Sequence, residues 1–268
     1  MSRLSAAEWL DRVRGATPGP ELLGFVTRRL ATPYEEGPIL DERRGEGVED
    51  IFVELAREDE GFRDRLDETL AGYFDSEDAD PAVAKARPVI RGMLEIVGVL
   101  SLLGSGARVR AWLARHDQAL RAEADAVLGR AALDALATAQ ILGTSDGRAF
   151  WLGLWRRGPA AWQWRPFVGL RLHDPVTAAE TIPELLLRLR EQQADPRPLL
   201  LGMWKQPAGR VALEKWARTT SRQDAADEVR GALKAMLSPA DFAALGKPKP
   251  KHPLRQLASN RQLAEAPP

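Results

Sequence analysis

Residues 81–100 read PAVAKARPVIRGMLEIVGVL, and this stretch decides the expected fold. Apolar side chains recur in it every three or four positions, at Val83, Ala86, Ile90, Met93, Val97 and Leu100. Side chains with that spacing share one face of an α-helix. The stretch therefore predicts an amphipathic helix whose apolar face packs against other helices.

Six pairs of a helix-capping residue and a proline indicate further helix starts along the chain. They are Thr17-Pro18, Thr32-Pro33, Asp80-Pro81, Asp174-Pro175, Asp195-Pro196 and Ser238-Pro239. Asp, Ser and Thr accept a backbone N–H at a helix N-terminus, and proline suits the first helical position, where no N–H is needed. Leu and Ala are abundant and Tyr is rare, which favours helix over sheet. We therefore expect an all-α protein of about a dozen helices without a significant β-sheet.

Changes in composition divide the chain into three predicted parts. Residues 1–75 are predicted to form N-terminal helices that include an acidic hairpin, and residues 80–245 a helical-repeat-like domain. Residues 246–268 are predicted to form a basic, proline-rich mobile tail. Short connections between successive helices favour antiparallel neighbours, and therefore stacked helical hairpins of the α-solenoid type.

Local signals also predict the limits of individual helices. Gly104-Ser105-Gly106 indicates a helix stop before a helix at 107–115. Single uninterrupted helices are predicted at 118–142 and at 175–191, and the Pro-, Gly- and charge-rich residues 32–47 predict a long loop.

A faint internal repeat accompanies the helical pattern. Asp80, Asp125 and Asp174 are 45 and 49 residues apart, a period typical of two-helix repeats. The stretch RPFVGLRLHDPV at 165–176 opens with a proline, continues with spaced apolar residues and ends in Asp-Pro. Residues 80–240 thereby resemble HEAT repeats. The resemblance implies a broad concave surface, which that family mostly uses to hold protein partners and in some members to bind nucleic acid.

Composition narrows the classes of function. The chain has no cysteine, which excludes disulfides, thiolate metal sites and cysteine nucleophiles. Its N-terminus is charged throughout and does not resemble a signal peptide, and its most apolar stretch is too short and too charged for a membrane span. We therefore expect a cytoplasmic protein, and no cofactor. Arginine outnumbers lysine 31 to 7, which is typical of a GC-rich bacterial genome.

The net charge is zero, but the charges are unevenly distributed. Residues 35–80 hold 18 acidic and 5 basic side chains, a balance of −13. Residues 81–172 hold 13 basic and 6 acidic side chains, a balance of +7. Such an asymmetry can steer a partner or a second copy of the chain, and it is also compatible with a solvated acidic hairpin beside an arginine-bearing domain.

Residues 151–165 read WLGLWRRGPAAWQWR and are the most unusual segment. Trp and Arg are the residues most enriched at binding hot spots, so the candidate binding residues are Trp151, Trp155, Arg156, Arg157, Trp162, Trp164 and Arg165. Trp162 and Trp164 are two positions apart and cannot share one helix face, which predicts that at least one is partly exposed. The alternative is that these rings fill the junction of two hairpins.

The histidines allow one enzymatic hypothesis. His116-Asp117 and His173-Asp174 resemble the His-Asp pair of HD-type phosphohydrolases, which are all-α and bind metal. The resemblance implies a ligand set of His116, His173, Asp174 and Asp224. Asp174 also precedes a proline, however, and that position is already explained by helix capping.

The first functional hypothesis is a non-enzymatic helical scaffold or adaptor that binds a protein partner through the acidic hairpin or through residues 151–165. The second is a nucleic-acid-associated subunit that uses Arg108, Arg110, Arg156, Arg157 and Arg165. Zero net charge counts against autonomous nucleic-acid binding. The third is the metal-dependent hydrolase. No membrane partner is expected.

Overall fold

The computed structural model describes residues 6–31, 50–121, 126–139, 144–159 and 162–244. Within these ranges the regular structure consists of sixteen α-helices and one 3-10 helix, with no strand, so the all-α prediction is confirmed. The finer prediction of HEAT-like stacked hairpins stays a prediction. The predicted loop at 32–47 and the predicted tail at 246–268 lie outside the described residues.

The chain divides into two compact units, Met1–His173 and Asp174–Pro268, so the predicted domain boundary at 75–80 falls inside the first unit. The described helices of the first unit are α1 (Ala6–Gly15), α2 (Pro20–Ala31), α3 (Asp50–Glu58), α4 (Glu60–Asp75), α5 (Arg87–Leu100), α6 (Leu103–Arg115), α7 (Asp117–Arg121), α8 (Ala126–Ala139), α9 (Thr144–Arg157) and α10 (Arg165–His173). Those of the second are α11 (Pro175–Glu180), α12 (Ile182–Glu191), α13 (Arg197–Trp204), α14 (Pro207–Thr219), α15 (Gln223–Lys234) and α16 (Pro239–Ala244).

Helix α5 lies at the centre of the first unit, where it contacts α2, α3, α4, α6 and α8. The first residues of the stretch 81–100, which predicted this helix, are not part of α5, however. The Asp80 carboxylate accepts a hydrogen bond from the Ala82 N–H at 2.9 Å, and a 3-10 helix at Ala84–Ala86 precedes α5. Gly98 brings α5 close to α8, because a Cβ at this position would lie 3.1 Å from the Cα of Ala135. Ile90, Met93, Val97 and Leu100 of the predicted stripe are buried on the packing face of α5. Val83 and Ala86 are not part of it, because the helix starts six residues after Pro81 and Val83 is exposed.

Four side chains of α4 bind the ends of four other helices. Arg63 donates to the Leu100 carbonyl at the end of α5, at 2.5 Å, and Arg65 donates to the Arg14 carbonyl near the end of α1, at 2.8 Å. Asp67 accepts N–H groups at the start of α6, and Thr69 accepts the Gly19 N–H before α2 at 3.0 Å. Residues four apart share a helix face, so Arg63 and Asp67 serve one side of α4 while Arg65 and Thr69 serve the other. Polar side chains of α4, which belongs to the predicted acidic hairpin at 48–75, therefore hydrogen-bond to other helices of the unit.

The predicted helix stop at Gly104-Ser105-Gly106 is wrong, because these residues form the first turns of α6. Asp67 accepts the N–H groups of Gly104 at 2.9 Å and of Ser105 at 2.6 Å. These are N–H groups that the start of a helix leaves without an intrahelical partner. The cap comes from another helix, so a turn that is weak by propensity still begins α6.

Two helices predicted as single elements differ in the structure. The predicted helix at 118–142 contains two described helices, α7 and α8, and residues 122–125 and 140–142 lie outside the described ranges. The predicted helix at 175–191 is divided at Thr181 into α11 and α12. Pro183 explains this division, because it has no N–H to donate and its ring clashes with the carbonyl of the residue four positions earlier.

The second unit has its own apolar core. Helix α14 contacts α11 and α13, and α15 contacts α12, α13 and α16. The Asp174 carboxylate caps α11 by accepting the Thr177 N–H at 3.0 Å, as the Asp-Pro signal predicts. Among the residues that the structure describes, no helix is both long enough and apolar enough to cross a membrane.

Candidate functional site

Three of the four clustered tryptophans belong to the core. The side chains of Trp151, Trp155 and Trp162 have 0% exposure, and Trp162 donates its indole N–H to the buried Leu120 carbonyl at 3.1 Å. Trp164 is partly exposed, which agrees with the two-residue spacing from Trp162. These three buried rings cannot contact a partner that binds the folded surface, which leaves Trp164 and the arginines of the segment as candidates.

Glycines on neighbouring helices make room for two of these rings. A Cβ at Gly169 of α10 would lie 2.2 Å from the Cδ2 of Trp151, and a Cβ at Gly129 of α8 would lie 2.5 Å from the Nε1 of Trp162. Real Cβ atoms do not approach other atoms so closely, so each ring depends on the glycine that faces it. The burial of the tryptophans is therefore decided by residues 18 and 33 positions away in sequence.

The structure divides the predicted arginines between two different clefts. Arg165 packs over the Trp164 ring, with its guanidinium carbon 4.9 Å from the ring centroid, and it approaches the Asp134 carboxylate at 3.4 Å. Arg156 and Arg157 are exposed at the C-terminal end of α9. The predicted patch at 151–165 is therefore not one continuous surface of tryptophan and arginine.

Arg165 lines a cleft of about 500 Å³ between α5 and α8. Two arginines of this cleft pair with carboxylates, since Arg91 lies 2.9 Å from Glu95 and Arg165 lies 3.4 Å from Asp134. Burial raises the pKa of Asp134, while the nearby Arg165 acts in the opposite direction. The lining also includes Arg130, so three arginines face two carboxylates and most of the charge is compensated within the cleft.

A second depression lies between α6 and α9. Its main part has a volume of about 530 Å³ and is lined by Ala107, Arg110, Ala111, Leu113, Ala114, Asp117, Phe150, Leu154 and Trp162. A hollow of about 290 Å³ shares Phe150 and Leu154 with it, and a further hollow of about 280 Å³, lined by α9 alone, shares Ala149, Gly153 and Arg157 with that one. Together they add Arg121, Ala149, Leu152, Gly153, Arg156, Arg157 and Gly158. We call this set of residues the α6–α9 groove.

Helical periodicity places the small residues of the groove on its walls. Ala107, Ala111 and Ala114 are four and three positions apart on α6, and all three are exposed. Ala149 and Gly153 are four positions apart on α9. The buried sides of the two helices carry large side chains instead, such as Trp112 on α6 and Trp151 and Trp155 on α9. Large buried side chains thus hold the two helices in place behind the groove, while small residues form its surface.

The groove is electropositive. Arg110 lies over the Phe150 ring, with its guanidinium carbon 5.2 Å from the ring centroid. Asp117 is the one carboxylate among the described lining residues, and it pairs with Arg121 at 2.7 Å. Arg121 also donates to the Arg157 carbonyl at 3.1 Å, at the end of α9. Arg110, Arg156 and Arg157 form no ion pair with any described residue, so they carry the excess positive charge of the groove.

The metal-binding hypothesis has no support from the described geometry. Within the described ranges, no group of three or more His, Asp or Glu side chains is arranged to hold a metal ion. His116 packs on Trp112 with ring centroids 5.6 Å apart, and burial lowers its pKa, with a further contribution from Arg115. Asp174 is engaged as the cap of α11, and Asp224 is exposed on α15.

Comparison with protein-family models, with curated proteins and with solved structures finds no match to this chain. The resemblance of residues 80–240 to HEAT repeats therefore stays a prediction.

Sequence reasoning identified only part of the groove. It singled out Arg110, Arg156 and Arg157, but it did not find Phe150 and Leu154 or the alanines of α6. The four-residue spacing of Ala107 and Ala111 is visible in the sequence, yet alanine at that spacing is common in any helix. Only the positions of two non-adjacent helices indicate that these residues line a groove.

Proposed function

We propose that this protein is a non-enzymatic helical scaffold or adaptor of the cytoplasm, with HEAT-like helical hairpins, that binds a protein partner at the α6–α9 groove. The observation that carries the proposal is the apolar surface of the groove together with the excess positive charge of its arginines. Arginine and aromatic residues at the centre of an apolar depression are the usual composition of a binding hot spot.

The packing behind the groove supports the same function. Trp112, Trp151 and Trp155 have 0% exposure and anchor the buried sides of α6 and α9. A surface that is already ordered loses little conformational entropy when a partner binds, which preserves affinity. The contact area is therefore presented by rigid helices and needs no ordering of a loop.

The nucleic-acid hypothesis has weaker support in the same observations. The exposed Arg156 and Arg157 suit phosphate contacts, but Trp151, Trp155 and Trp162 are buried and cannot stack on bases. Contact with a phosphate backbone would also leave the apolar lining residues of the groove unused. A protein partner can contact both the arginines and these apolar residues.

Site-specific photo-crosslinking tests the proposal. A benzophenone amino acid is placed at the exposed Gln118 of α7, next to the lining residue Asp117, and, as a matched control, at the exposed Ala208 of α14. We expect a defined protein to be crosslinked at Gln118 and not at Ala208. The captured protein is then identified, produced separately without the crosslink, and its affinity for the unmodified chain is measured.

Charge reversal supplies the second part of the test. The double variant Arg156→Glu, Arg157→Glu should lower the affinity for the purified partner at least about tenfold, because two charges of the groove are inverted. The double variant Lys205→Glu, Lys215→Glu changes the net charge equally on exposed positions of the second unit and should leave affinity unchanged. Equal losses in the two variants, or crosslinking at both positions alike, would refute the assignment of the groove.

A further inference from the structure

We infer that the partner inserts an amphipathic helix with acidic residues beside its apolar face into the α6–α9 groove. This inference rests on the proposed function and specifies the chemistry of the partner. Three properties of the described residues lead to it: the hydrogen-bonding state of the walls, the size of the wall residues, and the sign of the charge.

The walls of the groove offer almost no backbone groups to a partner. Ala107, Ala111, Ala149 and Gly153 lie inside α6 and α9, where backbone N–H and C=O groups are already paired within the helices. An extended segment would have to leave its own backbone groups unpaired against this apolar surface, which is costly. A helix satisfies its backbone internally, so it is the segment that can enter the groove at low cost.

The dimensions of the groove also fit a helix. The small side chains of Ala107 and Ala111 allow a partner backbone to approach α6 closely. Ala149 and Gly153 line the adjoining hollow on α9, where the Arg157 guanidinium lies against Gly153. The wall of α9 extends from Ala149 to Arg157, a rise of roughly 12 Å at about 1.5 Å per residue. A partner helix of about three turns covers that length, with apolar side chains directed towards Phe150 and Leu154.

The charge of the groove decides the polar face of the occupant. Arg110, Arg156 and Arg157 form no ion pair with described residues, and the carboxylate of Asp117 is already used by Arg121. A partner with Glu or Asp beside its apolar face would neutralise these arginines, whereas a basic helix would be repelled. The charge therefore selects acidic amphipathic helices.

Among the described helices, the acidic helix α4 does not meet these requirements in a second copy of this chain. It carries acidic residues, but its apolar residues Phe62, Leu66 and Leu70 have 0% exposure. Those side chains could reach another copy only if the fold opened. The occupant that we infer is a separate protein with a free amphipathic helix.

Synthetic peptides of defined composition provide the test. The first probe is a fluorescent peptide of about 15 residues with leucines at helical spacing and glutamates beside them, and the second has lysine in place of every glutamate. Fluorescence anisotropy against the full chain should show the glutamate peptide binding at least about tenfold more tightly than the lysine peptide. Circular dichroism should show a gain of helix when the glutamate peptide binds.

Variants of the chain locate the binding. The double variant Arg156→Glu, Arg157→Glu and the single variant Ala111→Gln should each weaken binding of the glutamate peptide at least about tenfold. The first acts through charge, and the second fills the groove with a larger neutral side chain. The charge-matched variant Lys205→Glu, Lys215→Glu should bind it normally. Equal affinity for both peptides, no binding at about 1 mM, or equal losses in the control would overturn the inference.

Crosslinking at Gln118 separates this inference from the proposed function. A captured protein whose crosslinked segment is a basic helix, a loop or an extended strand would overturn the inference and leave the scaffold function standing. A crosslink to nucleic acid, or to a segment of this same chain, would overturn both. A captured acidic amphipathic helix supports both.

Discussion

Removal of the Asp67 carboxylate should destabilise the protein through α6, a helix 37 residues further along the chain. The carboxylate accepts the N–H groups of Gly104 at 2.9 Å and of Ser105 at 2.6 Å, and the Ser105 hydroxyl lies 2.5 Å from it. Ser105 is fully buried, so its N–H cannot turn to water when the carboxylate is lost, while its hydroxyl keeps the Asp67 backbone carbonyl at 2.8 Å. The Asp67→Ala variant therefore leaves the first turn of α6 without its cap.

The magnitude follows from the groups that lose their partner. Loss of an N-terminal cap costs about 0.5–2 kcal/mol, and hydrogen bonds to a charged group contribute about 1.5–3 kcal/mol each, although they are not additive. Since Asp67 is partly exposed, we expect a total loss of about 3 kcal/mol. For a chain of this size that corresponds to a decrease in Tm of about 6–12 °C.

Thermal and urea unfolding monitored by circular dichroism would measure this effect. The matched control is Glu68→Ala, which removes the next carboxylate from an exposed position of the same helix and should change stability by less than about 0.5 kcal/mol. Asp67→Asn keeps one acceptor oxygen and should fall between the two. If Asp67→Ala and Glu68→Ala have the same stability, Asp67 does not cap α6.

Three other measurements test the packing and the titrating groups. Gly169→Ala should cost about 1–3 kcal/mol by overpacking against Trp151, while Gly72→Ala, where a Cβ meets nothing within 4 Å, should be neutral or stabilising in thermal unfolding; similar Tm values for the two variants would contradict the contact. Burial raises the pKa of Tyr73 to about 12, so absorbance at 295 nm should show a tyrosine titrating near pH 12 that Tyr73→Phe removes, and the stabilisation by this group is complete below pH 10 and lost as the pH rises through that pKa. The chain also contains Tyr34, so the burial of Tyr73 is contradicted only if the step that Tyr73→Phe removes lies near pH 10 in the folded protein. Burial lowers the pKa of His116 below 6.5, so the stabilisation by the neutral side chain is present above pH 6.5 and lost as the pH falls. In urea unfolding, His116→Gln should therefore lose less stability than the parent chain between pH 7 and pH 5. Identical pH profiles would show that the pKa of His116 does not change on folding.

Helix starts could be predicted where the signal is local. Asp174 caps α11 by accepting the Thr177 N–H at 3.0 Å, and Ser238 caps α16 by accepting the Asp241 N–H at 3.1 Å. In both cases the acceptor and the donor are three residues apart, so the sequence contains the whole interaction. Asp80 has the same signal, but its carboxylate accepts the N–H of Ala82, two residues further on, and a 3-10 helix follows in place of an α-helix.

The candidate site could be predicted only in part, and the reason is visible at Trp162 and Trp164. Their spacing predicts that they face different directions, and the structure agrees. The spacing does not say which ring is buried, because that depends on Gly129 and on the Leu120 carbonyl. These residues come from elements distant in sequence, and no local pattern connects them to Trp162.

The sequence by itself determined that this protein is built from helices, because helical periodicity and capping are properties of residues three or four positions apart. Only the tertiary structure decided which helix ends are capped by α4, which tryptophans are buried and where the α6–α9 groove lies. Each of these depends on side chains that meet across tens of residues, and such meetings are set by packing of the whole unit. The alanines that line the groove acquire their role only from the helix that stands opposite them.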